Sequence, residues 1–328
     1  MDVPGWTWAV TIALMVGVLA VDVFVIGRRP HEPTLRECAI AITFYVGLAV
    51  LFGIGVLVTA GGRYAGEFYA GWLTEYSLSI DNLFVFVIIM GRFAVPRPLQ
   101  QTALLVGIIL ALVMRGIFIA IGAAAIQNFS WVFYVFGAFL VYTAVKLATQ
   151  GESNEEDFEE NRLLAWVERR FPATQDWHGT KIIARVDGKR VMTPMLIVII
   201  ALGTTDLLFA LDSIPAIYGL TEEPYLVFSA NVFALMGLRQ LYFLIGGLLQ
   251  RLVYLSVGLS VVLGFIGVKL IMDALRENEV PFINGGEHVT AVPEIPIWVS
   301  LAFIVVTLAV TTVASLLKVR QDPTEGGR

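Results

Sequence analysis

The chain has 328 residues, 57% of them hydrophobic and only 15% charged, with mean hydropathy +0.78. Soluble domains run about 45–50% apolar and about 25% charged, and apolar runs of ~20 residues recur along most of this chain, so it is a polytopic membrane protein and not a soluble or secreted enzyme. A net charge of −5 offers no basic surface for nucleic acid, and a single cysteine, Cys38, excludes an intrachain disulfide and a cysteine-built metal centre.

The first apolar run, about 6–27, has no basic residue ahead of it, and Arg28 and Arg29 follow it. That is a spanning helix and not a signal peptide. Hydropathy places nine spans, at about 6–27, 37–60, 66–91, 100–124, 128–149, 193–218, 226–249, 252–273 and 296–318. The fold class expected is therefore an all-α polytopic membrane protein. With the amino terminus outside, seventeen of the 22 Lys and Arg fall on the inner side and two, Arg63 and Arg276, on the outer; Arg115, Arg239 and Lys269 lie within spans. The positive-inside rule then puts the amino terminus outside and the carboxyl terminus in the cytoplasm.

The chain divides into spans 1–5 (residues 1–149), a cytoplasmic segment (150–192) and spans 6–9 (193–320). The cytoplasmic segment opens on an acidic run. Phe158, Leu163, Trp166, Val167 and Phe171 then suit an amphipathic surface helix. The stretch 181–193 reads as a β-hairpin, because Asp187-Gly188 is a preferred two-residue turn. The outer loops carry Glu222, Glu223, Glu277, Glu279, Glu287 and Glu294: ordinary solvated loops, or a weak cation-attracting vestibule.

Spans 3–5 and 6–8 resemble each other. Leu78–Asn82 parallels Phe209–Ser213, and six residues before each aspartate, Asp81 and Asp212, stands another acid, Glu75 and Asp206. An arginine follows in the next span of each unit (Arg115, Arg239), and a Val-Lys-Leu ends the third (Lys146, Lys269). Two consecutive three-span units must lie in opposite orientations, the inverted repeat common in secondary transporters, whose substrate site lies near the midplane.

Glu75, Asp81, Asp206 and Asp212 sit in apolar context. Facing lipid, four carboxylates would cost on the order of 10 kcal/mol. They must therefore face one another, a cavity, or Arg115 and Arg239. A purely structural ion-pair network is one reading, but four acids against two arginines leave two negative charges, which a divalent cation or two protons would neutralise. Ser79, Asn82, Thr205 and Ser213 add neutral oxygens. Pro215 deprives the Leu211 carbonyl of its helix partner, and Gly203 and Pro215 together mark a discontinuous helix. The six-residue spacing sets the acids of a pair ~120° apart and ~9 Å along a straight helix, so an unbroken helix offers successive stations. With no His or Cys nearby, such ligands suit Mg²⁺, Ca²⁺ or Mn²⁺. Met90, Met114 and Met236 soften the site toward Mn²⁺, or simply pack.

The motifs EYSLSIDNLFVF at 75–86 and DLLFALDSIPA at 206–216, with His178-Gly179 and DGKRVMTP before span 6, resemble those of the TerC/Alx family, akin to the wider LysE-like transporters. The resemblance covers about residues 6–320. It implies tellurium resistance or manganese export, and it makes Glu75, Asp81, Asp206 and Asp212 the metal-handling acids. The function expected is divalent-metal export, Mn²⁺ first, coupled to protons, with the bilayer, the ion and protons as partners and no tightly bound cofactor. The alternatives are export of a tellurium oxyanion or amino acid through Arg115 and Arg239, and a membrane assembly or metallation factor. No nucleophile–His pair occurs in the spans, so an enzyme is not expected.

Overall fold

The computed structural model describes residues 3–28, 33–129, 131–150, 177–186, 189–245, 254–276, 278, 280, 283–289 and 292–321. The helices, in chain order, are α1 (Gly5–Arg28), α2 (Leu35–Ala60), α3 (Gly62–Arg92), α4 (Arg97–Asn128), α5 (Val132–Gln150), α6 (Pro194–Tyr218), α7 (Pro224–Met236), α8 (Leu238–Ile245), α9 (Leu255–Arg276) and α10 (Ile297–Gln321). Eight stretches among the described residues are long and apolar enough to cross a bilayer, with α7 and α8 counted together. The shorter apolar part of α1, Gly5–Val21, precedes them.

Local chemistry sets the ends. Thr34 caps α2 reciprocally with Glu37: its hydroxyl accepts from the Glu37 N–H, and Glu37 accepts from the Thr34 N–H at 2.9 Å. Prolines open α6 and α7, where the missing N–H costs nothing. Between α5 and α6, strands β1 (Ile183–Val186) and β2 (Lys189–Met192) pair antiparallel, with Ile183 opposite Met192. The Thr193 hydroxyl donates to the Lys181 carbonyl at 2.6 Å and ties this ribbon to the start of α6. The amphipathic helix expected from Phe158 to Phe171 lies outside the described residues.

Two corrections concern the spans. The sequence suggests a break in span 6 between Gly203 and Pro215, yet α6 runs unbroken through both. Pro215 falls in the last turn, where few helical hydrogen bonds remain to be lost. Gly203 serves close packing: a β-carbon there would stand 2.4 Å from Leu110 of α4. The interruption is in span 7 instead, at Gly237 between α7 and α8.

The bundle packs crosswise. α3 lies along α7, and α4 along α6. α4 and α6 run in the same direction, since Gly107 meets Leu202 and, further along both, Gly122 meets Tyr218. α3 and α6 run oppositely, with Glu67 bonded to Thr221 and Gly71 against Ile217. α5 and α9 form the tightest antiparallel seam: the Tyr134 hydroxyl donates to the Ala274 carbonyl at 2.9 Å, Gly137 abuts Gly267, and Ala144 faces Gly264. A β-carbon on Gly267 would lie 2.9 Å from the Gly137 carbonyl oxygen, so only glycine allows this approach. α7 and α8 run through the middle, with every residue from Ser229 to Tyr242 buried. α10 turns an apolar face outward along most of its length, Val299, Val306, Val310 and Leu317 among it.

Candidate functional site

A polar layer crosses the centre of three helices, α3, α4 and α6. At one edge Leu83, Ile108, Leu202 and Leu235 belong to one apolar cluster. At the other, Ile119, Ile214 and Val227 belong to a second. Between them α3 contributes Glu75, α4 Arg115, and α6 Asp206 and Ser213. All four are buried, Glu75 completely and Arg115 to 1% exposure.

Arg115 organises the layer. Its Nε and Nη2 donate to both carboxylate oxygens of Asp206, at 2.9 and 3.1 Å. Its Nη1 donates to Glu75 Oε1 and, at 3.1 Å, to the Ser213 hydroxyl. One guanidinium thus holds two helices' carboxylates with the planar fork that lysine lacks. Two carboxylates on one arginine leave the group one negative charge in excess. Glu75 Oε2 is buried and hydrogen-bonded to no described residue, and the same holds for the hydroxyls of Thr74 and Ser79. Native interiors rarely leave such atoms unsatisfied.

The remaining expected residues fall as follows. Asp81 is on α3 and Asp212 on α6; their side chains lie outside the described residues. Ser79, Asn82 and Thr205 are buried on α3 and α6, consistent with an inward face. Leu211 is the exception: its side chain is 43% exposed, on the outer surface of the bundle. The role expected of Leu211 rests on its backbone carbonyl, which Pro215, having no N–H, cannot bond. Arg239 is buried on α8, just past the Gly237 interruption, where α8 packs on α2. Met90 and Met236 are packing residues within apolar clusters. Among the described residues no three of His, Cys, Asp and Glu are placed to hold one metal ion together.

Two residues escape the sequence reading. Glu67, two turns before Glu75 on α3, is 5% exposed and accepts from Arg63 Nε at 2.9 Å and from the Thr221 hydroxyl at 2.7 Å. It stands at the edge of span 3 and reads there as an interfacial charge. Asn231 of α7 is 1% exposed. Its signal in the sequence is an amide inside the apolar run of span 7, nine residues before the only other one there, Gln240.

Glu67 lines a cavity of about 440 Å³ at the end of the bundle where α3 begins and α6 ends. Glu222, Glu223 and Glu294 also line it. Its bases are engaged: Lys269 Nζ donates to the Gly219 carbonyl at 3.0 Å and to Asp273 at 2.8 Å, and Arg276 pairs with Glu294 at 3.2 Å. Gly71, packed against Ile217 and Ala230, lies on α3 between this cavity and Glu75.

The sequence profile of the Integral membrane protein TerC family matches residues 60–323. The chain is 49% identical over 323 residues to the uncharacterized membrane protein Rv2723 of Mycobacterium tuberculosis (strain H37Rv), covering 98% of this chain and 81% of that one. It is 34% identical over 330 residues to Alx of Escherichia coli (strain K12), named there for redox modulation, covering 98% and 96%. It is 40% identical over 243 residues to the chloroplastic thylakoid membrane protein TERC of Arabidopsis thaliana, covering 74% of this chain and 63% of that one. No solved structure matches the chain.

Proposed function

The chain belongs to the TerC family of integral membrane proteins, and from that premise we propose that it exports a divalent cation, Mn²⁺ first, from a bacterial cytoplasm in exchange for protons. The observation that carries this reading is the layer around Arg115: two buried carboxylates on one guanidinium, with Glu75 Oε2 and the Thr74 and Ser79 hydroxyls hydrogen-bonded to no described residue. Oxygen donors of this kind suit hard divalent ions. In this reading the cation passes from the layer to the acidic cavity at Glu67, which opens to the outside, as the distribution of Lys and Arg favours. The opposed directions of α3 against α6 and of α5 against α9 are those that two inverted three-helix units would have.

An oxyanion exporter is disfavoured because Arg115, the cation such a substrate needs, is already gripped by two carboxylates. Redox modulation, the role in the Escherichia coli relative's name, would find one thiol here, Cys38, which is buried and has no second cysteine with which to form a disulfide.

The test is transport into inside-out proteoliposomes containing a divalent-sensitive dye, presented in turn with Mn²⁺, Mg²⁺, Ca²⁺ and Zn²⁺. Mn²⁺ uptake that the Glu75→Gln variant loses is the expected result. Vesicles that take up no divalent ion faster than protein-free ones would overturn the proposal.

A further inference from the structure

We infer that Asn231 is a ligand for the transported cation, a neutral amide oxygen supplied by a helix that carries none of the four acids. The inference rests on the cation-transport reading above and adds to it a residue that sets affinity.

The first observation is an anomaly. Asn231 is 1% exposed, and neither its Oδ1 nor its Nδ2 is hydrogen-bonded to any described residue. A buried amide with both ends unsatisfied is expensive, because each atom has lost water and gained nothing. A chain with no use for the amide would do better with leucine at this position.

The second observation is its place. On α7, Val227 joins the apolar cluster of Ile119 and Ile214, and Leu235 joins that of Ile108 and Leu202. Asn231 lies midway between them. On α4, Arg115 lies between Ile119 and Ile108 of the same two clusters, and on α6, Asp206 lies between Ile214 and Leu202. Asn231 therefore lies, like Arg115 and Asp206, in the stretch of its helix between the two clusters. It is one helical turn from Val227 and so shares the face that Val227 turns toward α4 and α6. Its neighbour Ala230 meets Gly71 of α3, one turn before Glu75.

The third observation is chemical. The layer already has carboxylate and hydroxyl oxygens, and Glu75 Oε2 and the Ser79 hydroxyl are without hydrogen-bond partners among the described residues, like Asn231. An amide oxygen adds a hard donor without adding charge. It strengthens cation binding without deepening the negative potential that would hinder release. When the cation has left, Nδ2 can donate to a carboxylate oxygen, a role that a further carboxylate or a leucine could not fill.

The experiment uses the full chain in detergent, with Mn²⁺ binding followed by the loss of its free electron-paramagnetic-resonance signal and thermal unfolding followed in parallel. Asn231→Leu, of similar volume, should hold or raise the unfolding temperature and weaken Mn²⁺ binding about tenfold or more, the scale of losing one contact to a charged group. Asn231→Asp should tighten Mn²⁺ binding at pH 8 and make it more sensitive to acid. An Asn231→Leu variant that binds Mn²⁺ like the parent would overturn the inference while leaving the cation reading intact. Parent protein that binds no Mn²⁺ would overturn both. If Asn231→Leu does not insert, Asn231→Asp decides: unchanged affinity and pH sensitivity would equally overturn it.

Discussion

Arg115 on α4 grips both carboxylate oxygens of Asp206 on α6, at 2.9 and 3.1 Å, and the same guanidinium holds Glu75 of α3. Three helices that meet at the centre of an apolar bundle are thereby joined through one cation. The joint is at once structural and electrostatically incomplete, since one positive charge faces two negative ones. In the transport reading proposed above, it is this residual charge that asks for a mobile partner.

The first prediction concerns this joint. Arg115→Ala should destabilise the protein by about 3–5 kcal/mol, the scale of leaving buried charges without their partner. Arg115→Lys should recover only part of that loss, because an ammonium lacks the fork that spans both Asp206 oxygens. Adding Asp206→Asn to Arg115→Ala should restore stability by removing one orphaned charge. Thermal unfolding in detergent reads all three, and a double variant less stable than Arg115→Ala alone would contradict the account.

Charge, and not shape, should govern transport. Glu75→Gln, Asp81→Asn and Asp212→Asn each keep the side chain's volume and remove its ionisable group. Each variant should insert at parent levels and lose Mn²⁺ uptake by proteoliposomes. Asp212→Asn moving Mn²⁺ at the parent rate would remove that residue from the site.

Much of this is legible in the sequence, for identifiable reasons. A charged residue inside an apolar run must find company, so the sequence points the four acids toward one another, a cavity, or Arg115 and Arg239, and in the structure Glu75 and Asp206 share Arg115. The spacing of apolar runs likewise sets the helices. What the sequence misleads on are residues whose role depends on neighbours distant along the chain. Gly203 looks like a hinge and is a contact point for Leu110. Asn231 carries no charge, so no desolvation argument of comparable size singles it out.

The direction of the third helices can be tested by cross-linking. A β-carbon on Gly264 would stand 3.5 Å from that of Ala144, at the near edge of the ~3.5–4.5 Å that disulfides take. In a Cys38→Ser background, Ala144→Cys with Gly264→Cys should oxidise to a disulfide within one chain. Ala144→Cys with Gly258→Cys should not, because Gly258 faces Thr311 instead. Equal yields from both pairs would mean that α5 and α9 are not in this antiparallel register.

Orientation is open to labelling. Glu222 and Lys181 are both exposed and lie at opposite ends of α6. In intact cells an impermeant maleimide should modify Glu222→Cys and spare Lys181→Cys, and permeabilisation should expose the second. The reverse pattern would place the acidic cavity in the cytoplasm and turn the proposed export path around.

The last prediction concerns coupling. Arg115 offsets one of the two carboxylates it holds, and the wider set of Glu75, Asp81, Asp206 and Asp212 exceeds Arg115 and Arg239 by two negative charges. When the cation leaves, that excess is exposed in a medium where an uncompensated carboxylate costs several kcal/mol. Protons are the counter-ion available from either side, and in the proposed reading the carboxylates that bind the metal are the groups that take them up. Export should therefore speed up when the external side is acidic relative to the cytoplasm, and an imposed gradient should drive Mn²⁺ uphill. In inside-out vesicles with the membrane potential clamped, acid inside should raise the initial Mn²⁺ uptake rate several-fold over matched pH. Glu75→Gln should abolish the response along with the flux. A parent rate indifferent to the gradient would identify a uniporter, with the excess charge neutralised by the metal ion alone.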